Sequence, residues 1–154
     1  MEKERIKIIA TNRKAKHEYQ IDNDFEAGIE LKGTEVKSLR MGKANLKDAY
    51  ARVKNGEVYI YQMHIGEYPY ANLANHDPLR PRKLLLHKYE IKRLYGKTQE
   101  KGLSLIPLNI YFMGSKIKLT IALARGKRTY DKRETIKKRD EKREMDRARK
   151  QKLR

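Results

Sequence analysis

The chain has 154 residues, a net charge of +18, a pI of about 10.0 and a mean hydropathy of −0.94, with 38% charged and 38% hydrophobic side chains. That bounds it to one domain, or one domain with a tail, whose surplus cations repel one another unless they face a polyanion, nucleic acid before an anionic membrane. The lack of cysteine excludes disulfides, thiolate metal sites and a cysteine nucleophile, and apolar runs such as IALA (121–124) are too short to span a bilayer.

Charge is unevenly spread. Fifteen of the 38 Lys and Arg fall in residues 125–154, against 6 of the 20 acids, so half the net charge sits in the last fifth of the chain. The expected organisation is a domain over 1–124 and a basic tail over 125–154. The N-terminus carries charges on both sides of a three-residue apolar patch, which argues against a signal peptide, and a cytoplasmic location is expected.

In chain order, residues 1–16 read as a basic arm. HEYQI (17–21) and FEAGIEL (25–31) read as strand, split by the turn formers Asp22, Asn23 and Asp24. GTEVKSLRMG predicts a short helix capped by Thr34, with Val36 and Leu39 inward and Gly42 at the left-handed stop. Asn55-Gly56 and Gly114-Ser115 each sit between β-rich runs and predict two-residue hairpin turns. After the second, Ile117, Leu119, Ile121 and Leu123 alternate with smaller or polar residues, and Ile106, Leu108, Ile110 and Phe112 supply the matching face. LLLHKYEIKRLYG (84–96) predicts a helix with Ile91, Leu94 and Tyr95 on one side and Gly96 as its stop. A loop over 66–83 holds three of the four prolines, and a loop of that length in a small domain is usually functional. Several antiparallel strands with two short helices predict a small closed barrel, mainly β.

Few residues suggest catalysis. His17, His64, His76 and His87 lack ligand spacing, no serine sits in a nucleophile elbow, and 126–129 fails the phosphate-loop pattern. No metal, cofactor or catalytic residue is expected. The basic positions are more informative. RPRK (80–83), with Tyr68 and Tyr70 before it, Asn12-Arg13-Lys14 with Lys16 and His17, and Lys37, Arg40 and Lys43 form three clusters suited to an RNA or DNA footprint. In the tail, Lys132, Arg139, Arg143, Arg147, Lys150 and Arg154 fall on one stripe of a helix. The tail has no apolar face, so it is expected to be disordered when free and to become helical against a surface that neutralises the stripe.

The stretches NRKAKHEY, FEAGIELKGTEVKSLRMGKANLKDAY, DPLRPRKLLLHK and ARGKRTYDKRETIKKR, in this order, closely resemble the SsrA-binding protein family, also called small protein B. The likeness runs from about Ile6 to Arg139. It implies a β-barrel related to the oligonucleotide-binding fold, with flanking helices and a basic tail. It further implies a non-enzymatic partner that binds the tRNA-like part of transfer-messenger RNA and accompanies it to stalled ribosomes in trans-translation. A monomer is expected, and a tail without an apolar face argues against a membrane role. By the same resemblance the RNA-facing surface would use Asn12, Arg13, Lys14, His17, Glu26, Gly33, Glu35, Lys37, Arg40, Lys43, Asn45, Arg82 and Lys83. The tail would enter the empty mRNA path using Gly126, Lys127, Arg128, Tyr130, Asp131, Lys132, Arg133, Arg139, Arg143 and Arg147. Tyr130 stands where some members carry histidine; either ring can stack on a base, and only histidine can become charged. The competing reading is a ribosomal or general RNA-binding protein, and an enzyme would need an acid/base set or metal site that the sequence does not display.

Overall fold

The computed structural model of the chain describes residues 5–71, 74–100, 102–127 and 129–152. In order, its elements are β1 (Ile6–Thr11), α1 (Arg13–Glu18), β2 (Tyr19–Ile29), α2 (Gly33–Arg40), β3 (Ala44–Asn45), β4 (Tyr50–Lys54) and β5 (Glu57–Tyr61). There follow β6 (His64–Ile65), β7 (Arg82–Leu85), α3 (Lys88–Thr98), β8 (Leu103–Met113), β9 (Lys116–Gly126) and α4 (Thr129–Lys152).

Both expected hairpins form. Asn55 and Gly56 take φ of 52° and 75°, the left-handed pair whose twist matches the strands it joins, β4 and β5. Gly114, at φ 61°, opens the turn between β8 and β9. Every strand pairing is antiparallel, and the pairings close: β8, β4, β5, β7, β2 and β9 return to β8, with β1 alongside the far half of β8. Closure removes most of the edges that an open sheet would expose.

Two 11-residue strands make this ring possible by changing partner along their length. β2 follows β9 from Tyr19 to Gly28 and passes to β7 at Gly28 and Ile29. A Cβ on Gly28 would stand 3.2 Å from that of Leu85, so this crossing favours a residue without a side chain. β8 keeps β9 on one edge while the other edge meets β4 at Leu105 and β1 from Asn109 onward.

β2 and β8 each also carry a bulge, and there the structure departs from the sequence reading. The Asp22-Asn23-Asp24 triplet is not a turn; the register slips by one residue between Ile21 and Asn23 and β2 continues. A second slip between Pro107 and Asn109 reverses the phase of β8. Leu105 and Ile110 therefore face the main core, whereas Ile106 packs with Ala15 and Ala124 in a separate cluster on the α1 side. The predicted common face of Ile106, Leu108, Ile110 and Phe112 is split by that extra residue.

Three boundaries differ as well. The supposed basic arm is β1 and α1, tied into the domain by strand pairing to β8. β9 runs two residues past 124, with Gly126 opposite Tyr19. α3 starts only at Lys88, because Arg82–Leu85 pair as β7, and it continues through Gly96 to Thr98; Ile91 and Leu94 are buried and Tyr95 is 54% exposed.

The main core lies inside the ring, where Val58, Ile60, Leu84, Ile110, Leu119 and Ile121 have no exposed surface, and Leu39 of α2 and Leu94 of α3 join it. Full burial of such a side chain contributes about 1.5–3 kcal/mol. Ile60→Ala is expected to lower unfolding stability by about 2–5 kcal/mol in denaturant titration. Ile8→Ala, at a 57% exposed position, is expected to change it by less than about 0.5 kcal/mol.

Candidate nucleic-acid interface

The long loop predicted to be functional runs from 66 to 81, between β6 and β7, and several of its described residues are tied down. His76 is buried; its Nε2 donates to the Ile65 carbonyl at 2.9 Å, which leaves Nδ1 to accept from the Thr34 hydroxyl at 2.9 Å. Thr34 is thus a loop anchor and not the helix cap. The cap is Lys32, whose amide donates to Glu35 Oε1 at 2.8 Å. Further along the loop, Asn75 donates to the Tyr68 carbonyl at 2.8 Å.

Arg82 fastens the end of this loop. Its guanidinium and the Glu35 carboxylate are both wholly buried and hydrogen-bonded to each other. Arg82 also donates to the carbonyls of Met63 (2.5 Å) and Pro78 (3.2 Å), and Arg80 reaches Glu35 Oε1 at 2.6 Å. Burial by itself would push the Glu35 carboxyl up. Hydrogen bonds from Arg80, the Lys32 amide and Arg82 outweigh it and hold the group below its ordinary value. Burial also draws the Arg82 guanidinium downward, and its bonds to Glu35 recover only part of that.

These facts correct part of the expected RNA surface. The arginines of RPRK do not both face solvent, because Glu35 supplies the charge that makes burying Arg82 tolerable. Asn12 is also buried: its Oδ1 caps α1 at the Ala15 amide (3.2 Å), while its Nδ2 donates to Pro107 O at 2.9 Å beside the β8 bulge. Glu35, Arg82 and Asn12 shape the surface from inside.

The remaining predicted residues lie outside. On α2 and its exit, Gly33, Lys37, Arg40, Lys43 and Asn45 are exposed. The Lys37 ammonium stands 5.4 Å from the centre of the Tyr68 ring, and Tyr70 meets Tyr68 edge to face with 71% of its surface exposed. On α1, Arg13 is exposed, Lys14 pairs with Glu18 (3.7 Å) and Asp48 (3.6 Å), and His17 keeps a buried Nδ1 without a hydrogen-bond partner. Glu26 is exposed on β2 and accepts from the Tyr111 hydroxyl at 2.5 Å; burial, then this bond, raises the Tyr111 phenol above its usual range. Lys83 pairs with Glu57 at 3.5 Å. The third predicted cluster is thus a surface feature, the second is one apart from the buried Asn12, and the first is half structural.

Of the tail residues, Gly126 closes β9 and Lys127 is tied to α1, its amide donating to Glu18 O at 2.8 Å and its ammonium to Lys16 O at 3.2 Å. Arg128 lies outside the described residues, as do the side chains of Tyr130, Asp131 and Lys132. Arg133, Arg139, Arg143 and Arg147 are exposed on α4, and among its described side chains none is buried. Among the described residues no cluster of His, Asp and Glu can hold a metal ion, and no helix is long and apolar enough to cross a membrane.

Sequence reasoning overlooked the outer face of β4 and β5. Tyr50 and Tyr61 stand opposite each other there with ring centroids 5.5 Å apart at 22°, and the Arg52 guanidinium lies 5.5 Å from the Tyr50 ring. The signal was present in the alternation of YARVKNGEVYIY, which puts Tyr50, Arg52, Tyr59 and Tyr61 on the face opposite Ala51, Val58 and Ile60.

Fold and surface together define a class: a closed antiparallel β-domain with cationic helices on its outside and a cationic helical tail. The family model described as SmpB protein matches residues 9–151, and the chain belongs to that family. An SsrA-binding protein of Syntrophobacter fumaroxidans is 60% identical over 96% of this chain and 91% of its own length. The SsrA-binding protein of Acetivibrio thermocellus is 56% identical over the whole of both chains. A chain from the solved structure "tmRNA-SmpB: a journey to the center of the bacterial ribosome" superposes with a TM-score of 0.67 at 49% identity, covering 82% of this chain and 93% of that one.

Glu35→Gln is expected to cost about 3 kcal/mol of stability, because it leaves the Arg82 cation buried without its counter-charge. The Glu35 carboxyl titrates lower in the folded than in the unfolded chain. Its contribution is therefore complete above the ordinary value of 4.5 and is lost as pH falls through the depressed one. In urea titrations the gap between the two proteins is expected to be full above pH 4.5 and to narrow as the pH is lowered below it.

Proposed function

We propose that this protein binds the tRNA-like domain of transfer-messenger RNA and delivers it to stalled ribosomes for trans-translation, with the basic tail entering the empty mRNA channel. The observation that carries the reading is the split of cations between two supports of opposite kind. One is a rigid closed sheet with short helices fixed to it, and the other is a 24-residue helix whose described side chains are all off the core. The relatives named SsrA-binding protein, aligned end to end with this chain, favour the same assignment.

The exposed cations Arg13, Lys37, Arg40 and Lys43 grip phosphates, and Asn45 and Glu26 read base or ribose edges, since a carboxylate does not contact a phosphate favourably. A helix such as α4, with no apolar face to dock, is marginal in water, so its helical form is selected where ribosomal RNA neutralises Arg133, Arg139, Arg143 and Arg147. We assign the protein a cytoplasmic location and no catalytic step; divalent-metal-dependent RNA cleavage is expected to be absent. A general RNA-binding protein is the second reading, favoured only if bulk tRNA competes on equal terms.

Full-length protein and a 1–128 truncation are expected to bind the tRNA-like fragment equally, and both well above a bulk tRNA control, across a salt series. Glu26→Ala is expected to weaken that binding several-fold without altering the salt slope. Loss of preference on removing the tail would contradict the division of labour, and unchanged affinity in the Glu26 variant would remove its reading role.

A further inference from the structure

The outer face of β4 and β5 carries features that the RNA-facing residues above do not use. Tyr50, Arg52 and Lys54 on β4, with Tyr59 and Tyr61 on β5, share one side of the sheet, because their neighbours Ala51, Val58 and Ile60 point into the core. Lys83 of β7, opposite Tyr59, continues the same side and is paired there with Glu57, the residue opposite Lys54. The tyrosines are each partly exposed, and Arg52 and Lys54 are exposed with no acidic partner within 4.0 Å among the described residues.

One end of this face forms the wall of a cleft of about 590 Å³ between α1, the start of β4 and the residues that follow α3. Lys14 and Lys47 stand at its edge, and Gln99 and Ser104 line it with amide and hydroxyl groups. A volume of several hundred cubic ångströms admits a small planar ligand. Lys14, Lys47 and Arg52 outnumber the lining carboxylates Glu18 and Asp48, and Tyr19 and Tyr50 are its aromatic rings, a mixture that suits neither an apolar helix nor a lipid.

We propose that this cleft and the tyrosine face beside it form a binding site for unpaired RNA nucleotides. A base stacks on Tyr50, whose ring is held in place by Tyr61, and the Arg52 guanidinium now above that ring moves to the adjoining phosphate. Lys47 holds the backbone on the other side of the cleft, where Lys14 offsets the carboxylates of Glu18 and Asp48. Aromatic rings on a sheet with cations around them suit single-stranded segments, because every base has a face to stack while a duplex offers none. The proposal rests on the RNA-binding reading above and extends it to a face with its own nucleotides.

Those nucleotides come either from the tRNA-like RNA or from ribosomal RNA. The test uses full-length wild type, Tyr50→Leu, Tyr50→Phe and Arg52→Gln against three probes: a single-stranded adenosine dodecamer, the tRNA-like fragment and vacant small ribosomal subunits. Tyr50→Leu is expected to weaken dodecamer binding about tenfold, and Tyr50→Phe to retain it, since stacking needs the ring and not the hydroxyl. Arg52→Gln is expected to lower the salt slope by about one, which a purely structural role would not do. A parallel loss on the fragment or on the subunits identifies the natural source.

Equal dodecamer affinity for wild type, Tyr50→Leu and Tyr50→Phe, at unchanged melting temperature, would overturn the proposal. Wild type failing to prefer the fragment over bulk tRNA would instead sink the functional reading above. The dodecamer arm keeps those two failures apart.

Discussion

The Glu35–Arg82 pair is the contact on which the exposed surface depends. A carboxylate and a guanidinium out of water cost several kcal/mol each in lost hydration, and an apolar pair of similar volume would serve the core at least as well. What an apolar pair would not do is hold two stretches of chain in register. Arg82 binds the carbonyls of Met63 and Pro78, and Glu35 binds the Lys32 amide and Arg80, so one buried pair fixes the start of α2, the entry of β7, the residue before β6 and the far end of the 66–81 loop. His76 adds a second bond between that loop and α2. Lys37 and Tyr68 then meet outside because the chain beneath them is tied.

The closed sheet supplies the other half of the rigidity. Two of its three 11-residue strands, β2 and β8, each change partner and each carry a bulge, and Asn12 anchors α1 to the bulge in β8. The cations of α1 and α2 are therefore held on a frame that cannot slide, which suits recognition of a folded RNA by shape. α4 is built on the contrary principle, carrying cations with no frame. A closed β-domain and an exposed cationic helix meet in one chain, joined where Lys127 binds back to Glu18 and Lys16.

Much of this was legible in the residues. Asn55-Gly56 and Gly114 announced their turns because positive φ is a local demand met by few side chains. The helix over 33–40 announced itself by its inward Leu39 and by Gly42, which takes φ 74°. The bulges were hidden, since a one-residue slip is a property of two strands together, and an Asp-Asn-Asp triplet looks alike in a turn and in a bulge. Burial of Arg82 was hidden for the same reason: its partner lies 47 positions away, and only pairing makes a buried arginine tolerable. The tyrosine face of β4 and β5 was readable from alternation, but aromatic residues in a strand read first as core.

The central claim is that the closed sheet reads the RNA while the tail is kept for another surface. Amide hydrogen exchange of the full-length protein, free and bound to the tRNA-like fragment, tests it most directly. The account predicts added protection on α1, on α2 and on the loop after β6, with exchange across 129–152 unchanged until small ribosomal subunits are added. Protection that spreads over 129–152 with the fragment alone, while α1 and α2 stay unaltered, would contradict it.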